Sequence, residues 1–473
     1  MTLENGGMSQ NPEITRVKNL MQAGRNEEAE SRLREICAKP DADAESWFQL
    51  GVLSGMHGDA VSAENCFRRA LALRPAFVQA RYNLAIALRN LGRLDEARTE
   101  LEAVIVAQSN HLDAYNALGI VYVRLDRLDD AERVFRAASA LNPAFPDTLI
   151  YLGNVLSLRQ QWAQAEAVYR RALELTPARG DVALNLGTAL ASQGRVEEAI
   201  AAYGSAIAAS PTLVEAHVQL GISLKRLEKK HEAVNAFREA LRLKPDHSVA
   251  QFFLASLRDG NVPASAPPEY IARFYNDYAD TFEVNLVNKL QYQGPSVLLR
   301  AVQAALTGRE SLLDVLELGC GTGLCGPLFK PLARSLIGVD LSPKMLAIAR
   351  TRQVYDNLEV GELTAALRKR KGTVDLALAA DVFIYIGDLT PVFEAAAGAL
   401  RPKGLFAFTV EAAKIEESEN YVLRSTARYA HTRPYVEALA RRFGFEQLSC
   451  EEFCIRMELG QPVPGTIHVL RTT

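Results

Sequence analysis

The chain has few cysteines: six in 473 residues, and none of them stands in a Cys-x-x-Cys pair. This scarcity argues against a disulfide framework or a zinc ribbon, and it is typical of free thiols in a reducing compartment. Net charge is also small, because 53 basic and 56 acidic residues leave only −3. Such a balance gives no general attraction to nucleic acid or to anionic lipid.

Long apolar runs are missing too. No run of about eighteen apolar residues occurs, and the opening MTLENGGMSQNPE lacks the apolar core of a signal peptide. No metal-ligand spacing occurs either. We therefore expect a soluble, cytoplasmic protein that uses neither a metal nor a membrane. The hydrophobic fraction of 48% is ordinary for a folded protein, and the length predicts two or three domains.

The first half of the chain is a repeat with a period of about 34 residues. A small residue that follows leucine recurs in each unit, and an alanine and a large apolar residue follow it at fixed distances. Prolines close most units, since proline stops one helix before the next hairpin starts. The small residues are Gly51, Ala85, Gly119, Gly153, Gly187 and Gly221, and the large ones are Phe67, Leu101, Phe135, Tyr169, Tyr203 and Phe237.

This pattern resembles the tetratricopeptide repeat, whose positions match in six consecutive units. A weaker unit precedes them, because GRNEEA near the start mirrors GRLDEA further on. A helix near Val249–Leu257 is expected to cap the array. We therefore expect a solenoid of about seven units plus a capping helix over residues 12–258.

The array is expected to present a groove to a partner. The positions two residues before each small residue are Gln49, Asn83, Ala117, Tyr151, Asn185 and Gln219. Four of the six are amides, which can pair with the backbone of an extended peptide. The alternative is that these amides only solvate a concave face or bridge neighbouring helices.

A different pattern follows DGNVPASAPP, residues 259–268, which we interpret as a linker. Apolar segments then alternate with helical ones, which indicates a parallel sheet covered on both faces. Glu446–Glu458 and Ile467–Arg471 are predicted to form an antiparallel hairpin at the sheet edge. The other predicted strands are Asp314–Leu318, Ser335–Asp340, Asn357–Val360, Val374–Ala379 and Leu405–Val410.

Two glycine patterns overlap in LLDVLELGCGTGLCG, residues 312–326. GCGTGLCG is typical of a dinucleotide-binding loop, whereas ELGCGTG is typical of a loop that holds S-adenosylmethionine. Three features favour the second cofactor. The carboxylate of Glu317 suits a cationic ligand and would repel a pyrophosphate. Glu362 follows the third strand, where an acid can reach the adenine amine. A closing antiparallel hairpin is also unusual for a dinucleotide-binding domain.

Residues 269–473 thus resemble a class I methyltransferase. ELGCGTG corresponds to its first motif, GVDLSPKML to its ribose motif, and LRPKGLFAFTVE to the strand beside the substrate. With the repeats, the chain is similar to bacterial fusions of tetratricopeptide repeats with a methyltransferase. The resemblance implies a multidomain fold: an all-α solenoid, then an α/β Rossmann-like domain with a mostly parallel seven-stranded sheet and an antiparallel C-terminal hairpin.

The resemblance also implies which residues bind S-adenosylmethionine. Glu317 is expected near the sulfonium, and Asp340 is expected to bind the ribose hydroxyls. Glu362 is expected at the adenine edge, although the family more often has Asp there. The other expected cofactor contacts are Gly319, Cys320, Gly321, Gly323, Leu341, Met345, Leu363 and Asp381.

Methyl transfer depends mainly on alignment, and an alcohol or amine acceptor also needs a base. Tyr278, in the aromatic segment ARFYNDYADTFE, is expected to act as a lid over the donor. His431 is the histidine best placed to be a base, and Glu411 is a further catalytic candidate. Ordinary packing is the alternative for these residues. The residues expected to bind the substrate are Tyr275, Tyr292, Arg428, Tyr429 and Tyr435.

The leading hypothesis is therefore an S-adenosylmethionine-dependent methyltransferase whose repeats recruit a protein or peptide, with no nucleic acid and no membrane as partner. One alternative is an enzyme acting on a small polar or carboxylate metabolite, with the repeats used for localisation or self-association. A further alternative is a scaffold whose methyltransferase-like domain does not turn over. The oligomeric state stays open.

Overall fold

The computed structural model describes residues 12–258, 260–289, 291–306, 311–458 and 460–473. The chain forms two compact units that divide after Pro211. The second unit therefore holds the last helices of the repeat pattern together with the sheet. This division differs from the sequence-based boundary at 258, and Asp259, where the predicted linker starts, lies outside the described residues.

Helical hairpins form the whole repeat region. The small and large residues of each unit face each other, as their spacing predicts: a methyl group at Gly51 would lie 2.6 Å from the ring of Phe67. In the unit that has Ala85 in place of glycine, the smaller Leu101 replaces the aromatic ring. The helices are α1 (Pro12–Gln22), α2 (Asn26–Cys37), α3 (Ala44–Met56), α4 (Ala60–Leu73), α5 (Val78–Asn90), α6 (Leu94–Ala107), α7 (Leu112–Arg124), α8 (Leu128–Leu141), α9 (Pro146–Leu158), α10 (Trp162–Leu175), α11 (Gly180–Ser192), α12 (Val196–Ala209), α13 (Val214–Arg226), α14 (Lys230–Leu243) and α15 (Ser248–Ser256).

Several of the amides expected to line the groove already have partners inside the array. Asn185 donates to Oδ1 of Asn154 at 3.1 Å, on the neighbouring hairpin. Gln49 donates to the carboxylate of Glu45 one turn earlier in its own helix, at 2.9 Å. These contacts support the interpretation that such amides bridge or brace helices.

A nine-stranded sheet and seven more helices follow among the described residues. The helices are α16 (Pro268–Glu283), which continues into a π-helical turn (Val284–Lys289), α17 (Gly294–Ala305), α18 (Gly326–Phe329), α19 (Pro343–Thr351), α20 (Leu363–Arg368), α21 (Thr390–Ala399) and α22 (Arg433–Arg442). The strands are β1 (Leu313–Leu318), β2 (Ala333–Asp340), β3 (Asn357–Val360), β4 (Val374–Ala379), β5 (Leu400–Ala412), β6 (Tyr421–Leu423), β7 (Tyr429–His431), β8 (Phe445–Glu458) and β9 (Gln461–Thr472).

The sheet order is β3-β2-β1-β4-β5-β7-β6, and β9 pairs antiparallel with β5 and β8. The order reverses between β1 and β4, which is where parallel α/β sheets bind ligands at the carboxyl ends of their strands. The hairpin of β8 and β9 matches the prediction. Strands β6 and β7 raise the count above the predicted seven, because three-residue strands carry too little alternation to be read from sequence.

Alternate residues of the central strands enter two separate cores. On β1, Leu316 and Leu318 pack with α20, α21 and α22, whereas Leu313 and Val315 pack with α17 and α18. Every residue of β4 is buried, as expected for a strand covered on both faces. This double cover fixes the register of the strands whose ends carry the candidate site.

The segment predicted to be a linker is an ordered part of the sheet domain. We call residues 260–267 the entry strap. Gly387 and Asp388 donate their backbone N–H groups to the carbonyl of Ala264 at 2.8 and 2.9 Å, and Ala266 donates to the carbonyl of Tyr385 at 2.8 Å. The strap thus pairs with the loop that follows β4, at the edge where the site lies.

None of the helices in the described parts of the chain is both long and apolar enough to cross a membrane.

Candidate active site

The loop after β1 makes a tight turn that depends on glycine. Gly319, Gly321 and Gly323 have φ values of 63°, 53° and 82°, a region that side chains disfavour. A Cβ atom at Gly319 would also lie 2.6 Å from Val382, whereas at Gly321 the nearest atom is 3.9 Å away on Phe282. Gly321 therefore presents bare backbone to open space, as the close approach of a ligand requires.

Glu317 lies at the end of β1 and is only 3% exposed. The hydroxyl of Tyr355 donates to its Oε2 at 2.7 Å. Burial raises the pKa of Glu317 to about 7, against the opposing effect of hydrogen bonds from Tyr355 and Cys325. A cationic ligand beside this carboxyl would favour its ionised form.

Asp340 ends β2 and ties the glycine loop to the neighbouring strand. Its two carboxylate oxygens accept the backbone N–H groups of Gly321 at 2.9 Å and Ser342 at 2.8 Å. Burial raises its pKa, while these N–H groups act to lower it. Each oxygen keeps a free lone-pair direction, so the side chain can also accept from ligand hydroxyls.

Glu362 has a local structural role. It is the N-cap of α20, and its carboxylate accepts the backbone N–H groups of Thr364 at 3.1 Å and Ala365 at 2.9 Å. Glutamate can fill this capping position, although shorter side chains are preferred there. The capping geometry holds Glu362 and the following Leu363 at the wall of the site.

Asp381, just after β4, stands at the centre of a buried charge network. Its φ is 57°, which is uncommon for a residue other than glycine. Arg456 donates to both oxygens of Asp381, at 3.0 and 3.1 Å, and also to Glu411. Glu411 is 2% exposed and does not line the cavity, so its contact with Arg456 places it behind the site.

A β-bulge explains how Arg456 reaches this network. The pairing of β8 with β9 skips Ile455, so that Ile455 and Arg456 both point inward instead of alternating. Arg456 is 1% exposed. Sequence reasoning missed it because strand alternation assigns one of these two neighbours to solvent.

The middle and C-terminal half of α16 and the loop after β4 form an aromatic wall. The hydroxyls of Tyr275 and Tyr385 lie 2.9 Å apart, and burial raises the pKa of both. Tyr278 packs edge-to-face on Phe282 in the same helix. The hydroxyls of Tyr275 and Tyr385 are protonated at neutral pH, and because one of them donates to the other, one O–H of the pair is available to a ligand. Tyr385 was not predicted, because only its contact with α16 distinguishes it.

Helix α16 is attached to the cofactor side of the site by polar contacts. Oδ1 of Asn276 accepts from the Ser342 hydroxyl at 2.7 Å and from the backbone N–H of Lys344 at 3.3 Å. Arg352 donates to the carboxylate of Glu283 in α16, and it also donates to the backbone carbonyl of Thr322 at 2.6 Å. These contacts hold the helix over the glycine loop, which is the position expected of a lid.

His431 does not have the position that a base needs. Its Nε2 contacts the backbone carbonyls of Ile386 at 2.8 Å and Gly387 at 3.1 Å, and the side chain is 1% exposed. Burial lowers its pKa to about 4. The histidine holds the loop after β4 and does not line the cavity, so it cannot accept a proton from an acceptor bound there.

Two of the predicted substrate tyrosines also lie behind the wall of the site. Tyr429 donates to the carbonyl of Pro263 in the entry strap at 2.7 Å. Tyr435 donates to Asp388 at 3.0 Å. Arg428 does reach the site, and its Nη1 lies 2.9 Å from both carboxylate oxygens of Glu458.

One cavity of about 420 Å³ brings these walls together, a volume within the range typical of ligand sites. The entry strap contributes Ala264, Ser265 and Ala266 to its lining, and Arg456 and Tyr385 line it as well. The predicted residues that line it are Tyr275, Tyr278, Tyr292, Glu317, Gly319, Cys320, Gly321, Asp340, Leu341, Met345, Glu362, Leu363, Asp381 and Arg428. The predicted residues outside the lining are Gly323, Glu411, Tyr429, His431 and Tyr435.

Comparison with known families assigns both halves of the chain. A methyltransferase-domain model matches residues 316–408, from Leu316 at the end of β1 to Phe408 in β5. Tetratricopeptide-repeat models match residues 56–121, 116–178, 152–213 and 214–247. This chain joins tetratricopeptide repeats to a methyltransferase domain. A domain of this kind depends on S-adenosylmethionine, and the acids and bare glycine backbone in the cavity fit that cofactor.

Curated relatives share parts of the methyltransferase half. An 18S rRNA (guanine(1575)-N(7))-methyltransferase of Saccharomyces cerevisiae is 29% identical over 114 residues, which are 24% of this chain and 39% of that protein. A ubiquinone biosynthesis O-methyltransferase of Bartonella tribocorum is 30% identical over 97 residues, 20% of this chain and 39% of that protein. The chain thus spans well under half the length of each.

Among solved structures, YrrB, described as a TPR protein with an unusual peptide-binding site, aligns with a TM-score of 0.36. It is 24% identical and covers 40% of this chain and 97% of its own.

Proposed function

We propose that this protein transfers a methyl group from S-adenosylmethionine to an acceptor, and that its repeats recruit a protein or peptide as substrate or partner. One observation carries the catalytic half of the proposal. Asp340, Glu317 and Gly321 form one wall of the cavity, and Asp381, Tyr275 and Arg428 line it as well. Donor and acceptor groups would therefore meet inside one cavity, as the alignment needed for methyl transfer requires.

The donor side holds the cofactor through its acids. When bound, S-adenosylmethionine supplies an electrophilic methyl group on a sulfonium. Asp340 would accept hydrogen bonds from the ribose hydroxyls, and Glu317 would face the cationic amino-acid end. Leu341 and Leu363 offer apolar side chains for the adenine ring, and Gly321 leaves room for close backbone contact.

The acceptor side favours a group that carries oxygen. Tyr275 and Tyr385 are phenols that stay protonated at neutral pH, and because one hydroxyl donates to the other, one O–H of the pair is left for a ligand. Arg428 adds a charged donor. A carboxylate acceptor is already nucleophilic and needs no base. This fits a wall on which the predicted base, His431, does not appear.

Binding of S-adenosylhomocysteine, the expected product, tests the cofactor assignment. We expect saturable binding to the wild type by calorimetry, and a loss of at least about tenfold in affinity for Asp340→Asn, since a buried charged hydrogen bond contributes about 1.5–3 kcal/mol. The matched control is Asp280→Asn, an exposed carboxylate on α16, which should bind as the wild type does. NAD should give no thermal stabilisation, whereas S-adenosylhomocysteine should. Absence of binding to the wild type would refute the proposal.

A small metabolite is the second candidate acceptor, and the size of the cavity, about 420 Å³, favours it. The entry strap and α16 both contribute to the lining, so the space beside the donor fits a small molecule or a single side chain. Extracts incubated with the full chain and labelled methyl donor distinguish these cases, with Asp340→Asn as the inactive background. Label in the protein fraction supports recruitment by the repeats, label in the small-molecule fraction supports the metabolite, and label in RNA would point to the substrate class named for some relatives.

A further inference from the structure

The glycine pattern typical of a dinucleotide-binding loop, GxGxxG at Gly321, Gly323 and Gly326, has in part a steric cause in this fold. Gly326 lies at the start of α18, and a Cβ atom there would come within 2.8 Å of the Tyr355 ring. At Gly323 the same ring would be 2.9 Å away, and at Gly338 on β2 it would be 3.1 Å away. These three glycines share one role beyond turn geometry, because together they leave the space that the ring of Tyr355 fills.

The segment that carries Tyr355 is fixed on both sides of it. Asp356 accepts the backbone N–H of Leu336 at 2.8 Å and the ammonium of Lys330 at 2.8 Å. Arg352, on the other side, donates to the carbonyl of Thr322 in the glycine loop at 2.6 Å. The ring therefore cannot move away from the loop without breaking contacts to the backbone of β2 and of the glycine loop.

The hydroxyl of this fixed ring is aimed at Glu317. It donates to Oε2 at 2.7 Å, inside a region where the carboxyl is almost fully buried. A hydrogen bond to the charged form stabilises that form and restricts the carboxyl to one orientation. Glu317 in turn lines the cavity on the side of the glycine loop.

We propose that Tyr355 is a positioning residue for methyl-donor binding: it fixes the orientation of Glu317 and keeps this buried carboxyl ionised toward the cationic end of the donor. The inference rests on the proposed function. It assigns the last two glycines of the GxGxxG pattern, Gly323 and Gly326, to a gap filled by a tyrosine rather than to a pyrophosphate. It also makes the affinity for the donor depend on the protonation of one carboxyl.

The other groups around Glu317 belong to several elements. Asp340 on β2 faces it as a second acid, Arg352 after α19 as a cation, and the thiols of Cys320 and Cys325 as neutral groups of the loop. Tyr292, which precedes α17, is the remaining neighbour. Arg352 is therefore the cation that faces Glu317 in the described part of the chain. The hydroxyl of Tyr355 donates directly to Glu317, at 2.7 Å.

The test is calorimetry of S-adenosylhomocysteine with the full chain between pH 5.5 and 9. For the wild type we expect affinity to rise with pH through about 7, where Glu317 ionises. Tyr355→Phe keeps the ring and removes only the hydroxyl, so the midpoint should move up by roughly one pH unit. At pH 7 its affinity should then be about fivefold lower, and at pH 9 nearly equal to that of the wild type.

Glu317→Gln supplies the matched control. It should bind weakly with no midpoint near pH 7, and adding Tyr355→Phe to it should not change the profile further. An unchanged midpoint in Tyr355→Phe, or an equal loss at every pH, would overturn the inference while leaving the proposed function intact. A wild type that binds at no pH would instead overturn the proposed function itself.

Discussion

At the scale of single residues, the sequence predicted which motif residues lie in the cavity. It did not predict the side chains that surround and hold them. Asp340 and Glu317 lie in the cavity where their motifs place them, because the ends of parallel strands share one edge of the sheet. His431 sits in an equally suggestive sequence, yet its imidazole contacts backbone carbonyls behind the wall. Sequence spacing locates a residue on an element, but the direction of its side chain depends on neighbours that are distant in the chain.

Arg456 leads to a prediction about stability. Replacing it by Met should lower the free energy of unfolding by about 3–5 kcal/mol, because the buried carboxylates of Asp381 and Glu411 would lose the guanidinium that pairs with both. Glu411 would keep only a longer contact with Arg424, at 3.6 Å, among the ion pairs of the described residues. The loss should be larger at pH 8 than at pH 5.5. Burial already raises the pKa of Glu411, so without the guanidinium the carboxyl is protonated at low pH and the penalty falls.

The matched control for that variant is Arg471→Met in the same hairpin. Arg471 pairs with Glu446, and the two side chains are 41% and 52% exposed, so its loss should cost less than about 1 kcal/mol. Urea unfolding at the two pH values measures both variants. Equal costs for the two arginines would contradict the role given to the buried network.

At the scale of elements, sequence patterns predicted the long segments well. Strands β3 and β4 have the bounds that were predicted, and β1 begins one residue before its predicted start. Strands β6 and β7 and the bulge in β8 were missed, because each depends on pairing rather than on local composition. The helix α16 was expected to close over the donor, and the structure shows two side chains, Asn276 and Glu283, through which it is attached.

Asn276 is the attachment to the start of α19, and its removal should loosen the lid. In Asn276→Ala the start of α19 loses its contact with α16, so we expect the affinity for S-adenosylhomocysteine to fall about fivefold, mainly through faster dissociation. Stopped-flow fluorescence and calorimetry give both quantities. Asp280→Ala, an exposed substitution on the same helix, is the control and should leave the dissociation rate unchanged; a rate unchanged in Asn276→Ala as well would show that α16 does not act as a lid.

At the scale of the whole molecule, the repeat pattern and the compact units end at different places. The family match of the last repeat runs to residue 247, yet the units divide after Pro211. Within the second unit, Phe252 and Phe253 of α15 contact Tyr270 at ring distances of 6.1 and 4.9 Å, and Phe252 also contacts Tyr429 at 6.2 Å. Sequence periodicity could not show these contacts. The repeat pattern ends where the sheet domain begins, yet the last helix of the repeats packs directly on that domain.

Phe252 therefore offers a test of how the unit is built. Phe252→Ala should cost about 3–5 kcal/mol of stability and should also weaken S-adenosylhomocysteine binding, since Tyr270 belongs to α16 and Tyr429 supports the entry strap. Phe135→Ala is the control: its ring is as deeply buried, at 1% exposure, but it lies in the first unit. It should destabilise the chain similarly and leave the affinity unchanged. Thermal unfolding and calorimetry decide, and an affinity unaffected by Phe252→Ala would refute the coupling.

The entry strap has a consequence for how such a protein can be recombined. A gene fusion that joined a foreign repeat array at the end of the helical pattern would keep the strap residues Ala264 and Ala266, which line the cavity. It would discard Phe252 of α15, whose ring packs on Tyr429, the side chain that donates to the strap at Pro263. A junction near Pro211 would transplant the catalytic half together with the three helices that support it. Exchange of recruitment modules, in nature or in the laboratory, should therefore succeed upstream of that proline and yield inert chimaeras when the splice falls nearer the sheet.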